Sequence, residues 1–112
     1  MVADKFTQTI QRRAHFRVKY PVEHAPRMII TGTPYVVIDI SERGARLGNP
    51  MRRRLPDDIF KVFVWLHEGE PLKVLAKVVR LEQANVALYF LQEIPYNRIL
   101  SEQVYLKKLS HK

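Results

Sequence analysis

Two short strings in the first half of the 112-residue chain hold the side chains best suited to chemistry. The first is Arg12, Arg13, Ala14, His15, Phe16, Arg17, an R-x-x-x-R run preceded by one more arginine. The second begins 22 residues beyond Arg17 and reads Asp39, Ile40, Ser41, Glu42, Arg43, Gly44, a D-x-S-x-x-G. A guanidinium is a planar donor fork that matches phosphate and the O6/N7 edge of guanine. A carboxylate accepts from the guanine N1 and N2 donors or holds an arginine in place. Several arginines beside one aspartate and one serine therefore suit a guanine nucleotide. In extended backbone Asp39 and Ser41 fall on the same face. Gly44 is expected either to adopt positive φ or to let backbone approach a ligand with no Cβ in the way. Arg46, two residues further on, is a candidate anion contact by strand geometry, although an ordinary surface position explains it equally well.

The charge distribution agrees. The net charge is +8, with eleven basic and four acidic residues in 1–54 but eight and seven in 55–112. Nine of the eleven basic residues in the front half are arginine, so the excess is concentrated where the two strings lie. Such a balance fits an anionic partner. Catalysis finds no support: the four histidines, His15, His24, His67 and His111, lack metal-ligand spacing, and Ser41 is not in a G-x-S-x-G elbow. The four glycines form no P-loop or dinucleotide fingerprint, and the absence of cysteine removes disulfides and thiolate chemistry and fits a reducing compartment. No enzyme, metal or cofactor is expected. Asp4 and the polar residues around it rule out a signal peptide at 1–10, and the longest apolar runs, 62–66 and 86–91, are too short to span a bilayer. A cytoplasmic protein without membrane insertion is expected.

The elements that must position these residues are mostly short strands. Residues 1–11 show no periodicity and are expected to form a flexible arm, with one domain over 12–112. Strands are predicted over 16–22, 27–30, 35–41, 45–47, 60–67, 72–81 and 86–92, separated by turn clusters at 31–34, 42–44 and 68–71. In 60–67, Val62, Val64 and Leu66 share one face and Phe63 and Trp65 the other, so both faces are expected to be covered. From Pro95, a plausible first helical residue, to Leu109 the spacing turns helical. Strands followed by one helix predict a mainly β protein: a small antiparallel barrel, closed so that it has no exposed edges, with a C-terminal helix packed on it.

At this point the chain resembles the PilZ domains, bacterial receptors for cyclic di-GMP, whose R-x-x-x-R and (D/N)-x-S-x-x-G pattern is matched at Arg13, Arg17, Asp39, Ser41 and Gly44. Residues 76–91 also look like the closing strands of that family, with Ala87 where glycine is frequent. The resemblance covers about residues 11–109 and implies a six-stranded barrel with a C-terminal helix. It further implies that Arg13 and Arg17 clamp phosphate and guanine, that Asp39 and Ser41 contact the base or brace the arginines, and that Gly44 permits close backbone approach. The resemblance implies too that Arg12, just before the first motif arginine, sits where the family's preceding residue can influence whether one ligand or a stacked pair is bound. Ordering about six arm residues costs on the order of 6 to 12 kcal/mol, and each charge-assisted hydrogen bond returns about 1.5 to 3 kcal/mol, so no single arginine suffices.

With about eleven residues before the first motif and about three after the helix, no output domain is expected on the chain. The signal would pass in trans to a separate effector, through 51–55 or the helix. Two alternatives compete: a small basic barrel for single-stranded nucleic acid, and a PilZ-like adaptor that binds no nucleotide. Against nucleic acid, Phe63, Trp65, Tyr89 and Phe90 lie in runs that read as core rather than as a stacking platform. Against the adaptor, both motifs are intact.

Overall fold

The computed structural model describes residues 16–110. Its elements are β1 (Arg17–Lys19), β2 (Arg27–Ile30), β3 (Thr33–Ser41), β4 (Gly44–Gly48), β5 (Phe60–Trp65), β6 (Leu72–Leu81), β7 (Asn85–Phe90) and the helix α1 (Tyr96–Ser110). Strands β3, β2, β5, β6, β7 and β4 pair antiparallel in that order, and β4 returns to β3 to close a six-stranded barrel. Short β1 joins β3 beyond the end of β2. The fold is therefore the small antiparallel barrel with a C-terminal helix that the strand pattern and the family resemblance predict. No helix among the described residues is long and apolar enough to cross a membrane.

Alternation builds the core. Val62 and Val64 of β5, Val74 and Ala76 of β6, and Val86, Leu88 and Phe90 of β7 point inward and are buried, joined by Met28, Ile30, Val37, Ile40 and Leu47. Each such large apolar side chain contributes roughly 1.5 to 3 kcal/mol of transfer free energy. The turn expected over 31–34 contracts to Thr31 and Gly32, with φ of 47° and 82°, and β3 starts at Thr33. Two consecutive left-handed residues give the twist that a two-residue hairpin needs. The first strand ends at Lys19 rather than at residue 22. Pro21, which has no N–H for a ladder, is followed by a 3-10 turn at Val22–His24.

One expectation fails on β5. Phe63 and Trp65 are not covered: they lie on the outer wall of the barrel, 39% and 50% exposed. Alternation separates two faces, but only a neighbouring layer covers the second, and α1 packs elsewhere.

The helix starts at Tyr96, with the Pro95 carbonyl accepting from the N–H groups of Arg98 and Ile99, so Pro95 lies just ahead of the first helical residue. It docks through a polar anchor. Glu102 is fully buried and accepts from the Tyr20 hydroxyl at 2.6 Å and the His67 backbone N–H at 2.9 Å; His67 Nδ1 lies 2.8 Å from the same carboxylate. His67 also stacks on Tyr105, with ring centroids 4.1 Å apart. At the other end of the helix Arg98 donates to the carbonyls of Glu68 and Glu70, and Phe16 meets Tyr96 edge to face. Phe16, just ahead of β1, is thus tied directly to the helix.

Burial, the hydrogen bond to Glu102 and its negative charge all push the Tyr20 hydroxyl far above the usual tyrosine value of 10.0. The unfolded chain loses this proton near pH 10, whereas the folded chain keeps it, so the stabilisation is complete below pH 10 and is lost as pH rises above it. In unfolding titrations between pH 10 and 11.5, Tyr20→Phe is expected to show a shallower loss of stability than the parent, by up to about 1.4 kcal/mol per pH unit.

Candidate ligand-binding site

The cleft that gathers the motif residues depends on two β-bulges. In β3, strict alternation would place Asp39 and Ser41 on the same face as Val37, which is fully buried in the core. A register shift between Val37 and Asp39 reverses the phase, so that Ile40 fills the core and Asp39 and Ser41 turn to the outer wall. There they pair with β1, Asp39 opposite Lys19 and Ser41 opposite Arg17. In β6 a shift between Val78 and Arg80 turns Arg80 outward, opposite Ala87. Bulges re-aim side chains in this way beside functional sites.

The result is a cleft of about 360 Å³ on the outer wall, lined by Arg17, Arg43, Arg46, Arg80 and Tyr89, among others, with Gly44 and Ala87 keeping its floor low. Among the described residues no carboxylate lines it. Asp39 lies behind the arginines, 3% exposed, and accepts from Arg17 Nη1 at 2.7 Å; its other oxygen lies 3.8 Å from Arg46 Nε. The carboxylate grips Arg17 and faces Arg46, and the outer donors of both guanidinium groups have no partner among the described residues. A buried carboxylate needs such partners, because leaving one unpaired costs several kcal/mol. Arg43 leans away to Glu93 at 3.0 Å.

Of the residues singled out in the sequence, Arg17, Asp39, Ser41, Gly44 and Arg46 come together on this wall. Arg12 and Arg13 lie outside the described residues. Arg80 is an addition that sequence reasoning missed, and Tyr89, expected in the core, is instead 40% exposed on this wall. Arg80 has the parity of Val74, Ala76 and Val78, so only the bulge reveals it as a wall residue.

Ser41 is buried, and its hydroxyl serves the β3–β4 turn, accepting from the Arg43 N–H at 3.3 Å and donating to the Gly44 carbonyl at 3.4 Å. Gly44 does not have positive φ. Its missing Cβ is needed against the neighbouring strand: a Cβ there would fall inside contact distance of the Leu88 carbonyl oxygen on β7. Gly44→Ala must therefore push β4 from β7, and is expected to cost about 1 to 3 kcal/mol, as overpacking does. Chemical denaturation would measure it, and a neutral substitution would show that β4 can shift freely.

A family model described as the PilZ domain matches residues 11–104. Among solved structures, the chain is similar to an uncharacterized protein of Legionella, with a TM-score of 0.54 and 20% identity over 86% of this chain and 95% of that one. It is also similar to the PlzA protein of Borreliella burgdorferi, solved in complex with c-di-GMP, with a TM-score of 0.58 and 13% identity over 100% of this chain. The match covers 59% of PlzA, so the chain accounts for only part of that protein's length. At these identities the likeness is one of fold. No curated protein matches the chain.

Proposed function

The chain belongs to the PilZ domain family, a family of ligand-binding receptor domains, and from that premise we propose that it binds cyclic di-GMP in the cleft on the β1–β3–β4–β7 wall. The observation that carries this reading is the buried Asp39 gripping Arg17 and facing Arg46 at the edge of a cleft that no carboxylate lines among the described residues. Cyclic di-GMP offers two phosphodiester charges and two guanine edges, and guanidinium forks serve both. Arg13 and Arg12 would complete the grip from the arm, as the position of the R-x-x-x-R motif implies. Arg80 would add a further cation and Tyr89 a ring on which a base can stack. The c-di-GMP complex of the PlzA neighbour supports the ligand class.

Binding would fix the arm across the cleft, and a separate effector protein would read that change. Arg17 is one residue from Phe16, which touches the helix at Tyr96, so a movement of β1 reaches the helix through direct packing. Calorimetric titration with cyclic di-GMP, its linear form and GMP tests the ligand. Saturable binding of the cyclic dinucleotide, with weaker binding of the other two, is expected. A 12-nucleotide single strand serves as the control: if it binds better, with the steep salt dependence of counterion release, the cyclic dinucleotide reading fails.

A further inference from the structure

A second surface lies beside the cleft, on the outer wall of β2, β5 and β6. Phe63 and Trp65 lie side by side there, ring centroids 6.4 Å apart, and Leu75 is also exposed. Their neighbours across the ladder are cations and one aliphatic residue: Arg27 faces Trp65, Ile29 and Lys73 flank Phe63, and Lys61 faces Leu75. None of β2, β5 and β6 contains an acidic residue. Lys61, Lys73 and Lys77 are not paired with a carboxylate among the described residues. A half-exposed tryptophan beside phenylalanine and leucine, rimmed by unpaired lysines, is the arrangement of an interface centre with its polar rim.

We propose that this wall docks an acidic segment of a protein partner, one that places large apolar side chains between its carboxylates. The unneutralised lysine rim calls for negative charge. A second copy of the chain docking through the same wall would set cation against cation, so self-association is disfavoured. Leu75 and the half-buried Ile29 beside Phe63 add apolar contact area but no ring for a base. Phe63 and Trp65 are tilted 44° to one another, so they form no parallel stacking platform, and the wall favours protein over nucleic acid. Each of β2, β5 and β6 is paired on both sides, so the partner cannot add a strand and must dock by side chains alone. At its far edge Lys77 sits over the ring of Tyr89, which also lines the cleft, so an occupant of the wall would adjoin a bound ligand. That adjacency matters only if the cleft binds cyclic di-GMP; the docking wall itself does not depend on it.

Trp65 is the only tryptophan in the chain, so its emission reports on this wall alone. The probe is a synthetic 14-residue peptide patterned with leucine and glutamate, compared with its leucine and lysine counterpart, a 12-nucleotide single strand and phosphatidylglycerol vesicles. Expected is a saturable blue shift with the glutamate peptide, weakened at least tenfold by Lys61→Glu combined with Lys73→Glu, two exposed positions whose exchange keeps Trp65 in place. Amide shift changes should map to β5 and β6. The proposal is overturned if the glutamate peptide leaves the emission unchanged, if the lysine peptide binds equally well, if the charge-reversed variant binds unchanged while its melting temperature is retained, or if only the oligonucleotide or the vesicles move the emission.

Discussion

Arg17→Ala is expected to weaken cyclic di-GMP binding at least tenfold, a loss of about 1.4 kcal/mol or more. Two effects combine. The variant loses a guanidinium that already makes the shortest ion pair of the site, 2.7 Å to Asp39, and whose outer donors can each form charge-assisted bonds of about 1.5 to 3 kcal/mol. It also leaves Asp39, nearly inaccessible to solvent, facing Arg46 alone among the described residues, at 3.8 Å and beyond hydrogen-bond reach. Arg46 would then swing toward the carboxylate and withdraw from the cleft. Arg17→Lys should recover little, because an ammonium cannot satisfy Asp39 and present a planar fork to a ligand together. Arg13→Ala should show a loss of similar size if the arm closes on the cleft. Calorimetry decides it, with thermal melting run in parallel to separate lost binding from lost folding. If both variants keep the parent affinity, the assignment of the site is wrong.

Glu102→Leu is expected to destabilise the fold by about 3 to 5 kcal/mol, the range for breaking a buried charged cluster by removing one partner. Leucine has about the right volume, so the loss would come from polarity rather than from a cavity. The Tyr20 hydroxyl, the His67 N–H and His67 Nδ1 would all lose their acceptor in a site that Tyr105 and the helix close off. For a domain of this size such a loss lowers the melting temperature by more than about 10 °C. Glu102→Gln keeps one acceptor oxygen and should cost less. A Leu variant that melts with the parent would mean that the anchor contributes nothing and that apolar contacts such as Ile99 hold the helix.

The cluster also shows why part of the molecule is invisible in the sequence. Glu102 lies in a helix whose pattern marks Ile99 as apolar and treats a glutamate as solvated. Its partners lie 82 and 35 residues away, and nothing local announces that all three will meet. Phe63 and Trp65 show the opposite failure. Their residue types suggest core, yet a barrel of six strands has one interior, already filled by Val62, Val64 and their neighbours, and the single helix cannot cover the whole outside.

The strand segments, the turns between them, the helix and the family motif are all readable along the chain, because each depends on neighbours within a few residues: alternation, turn-forming glycine and proline, and the spacing of arginines. Which side chains finally line the cleft depends on register between strands distant in sequence. Two single-residue bulges reverse the face of everything beyond them, bringing Asp39 and Ser41 out of the core and turning Arg80 onto the wall. A ladder shift is a property of two strands together, so neither strand's own sequence states it.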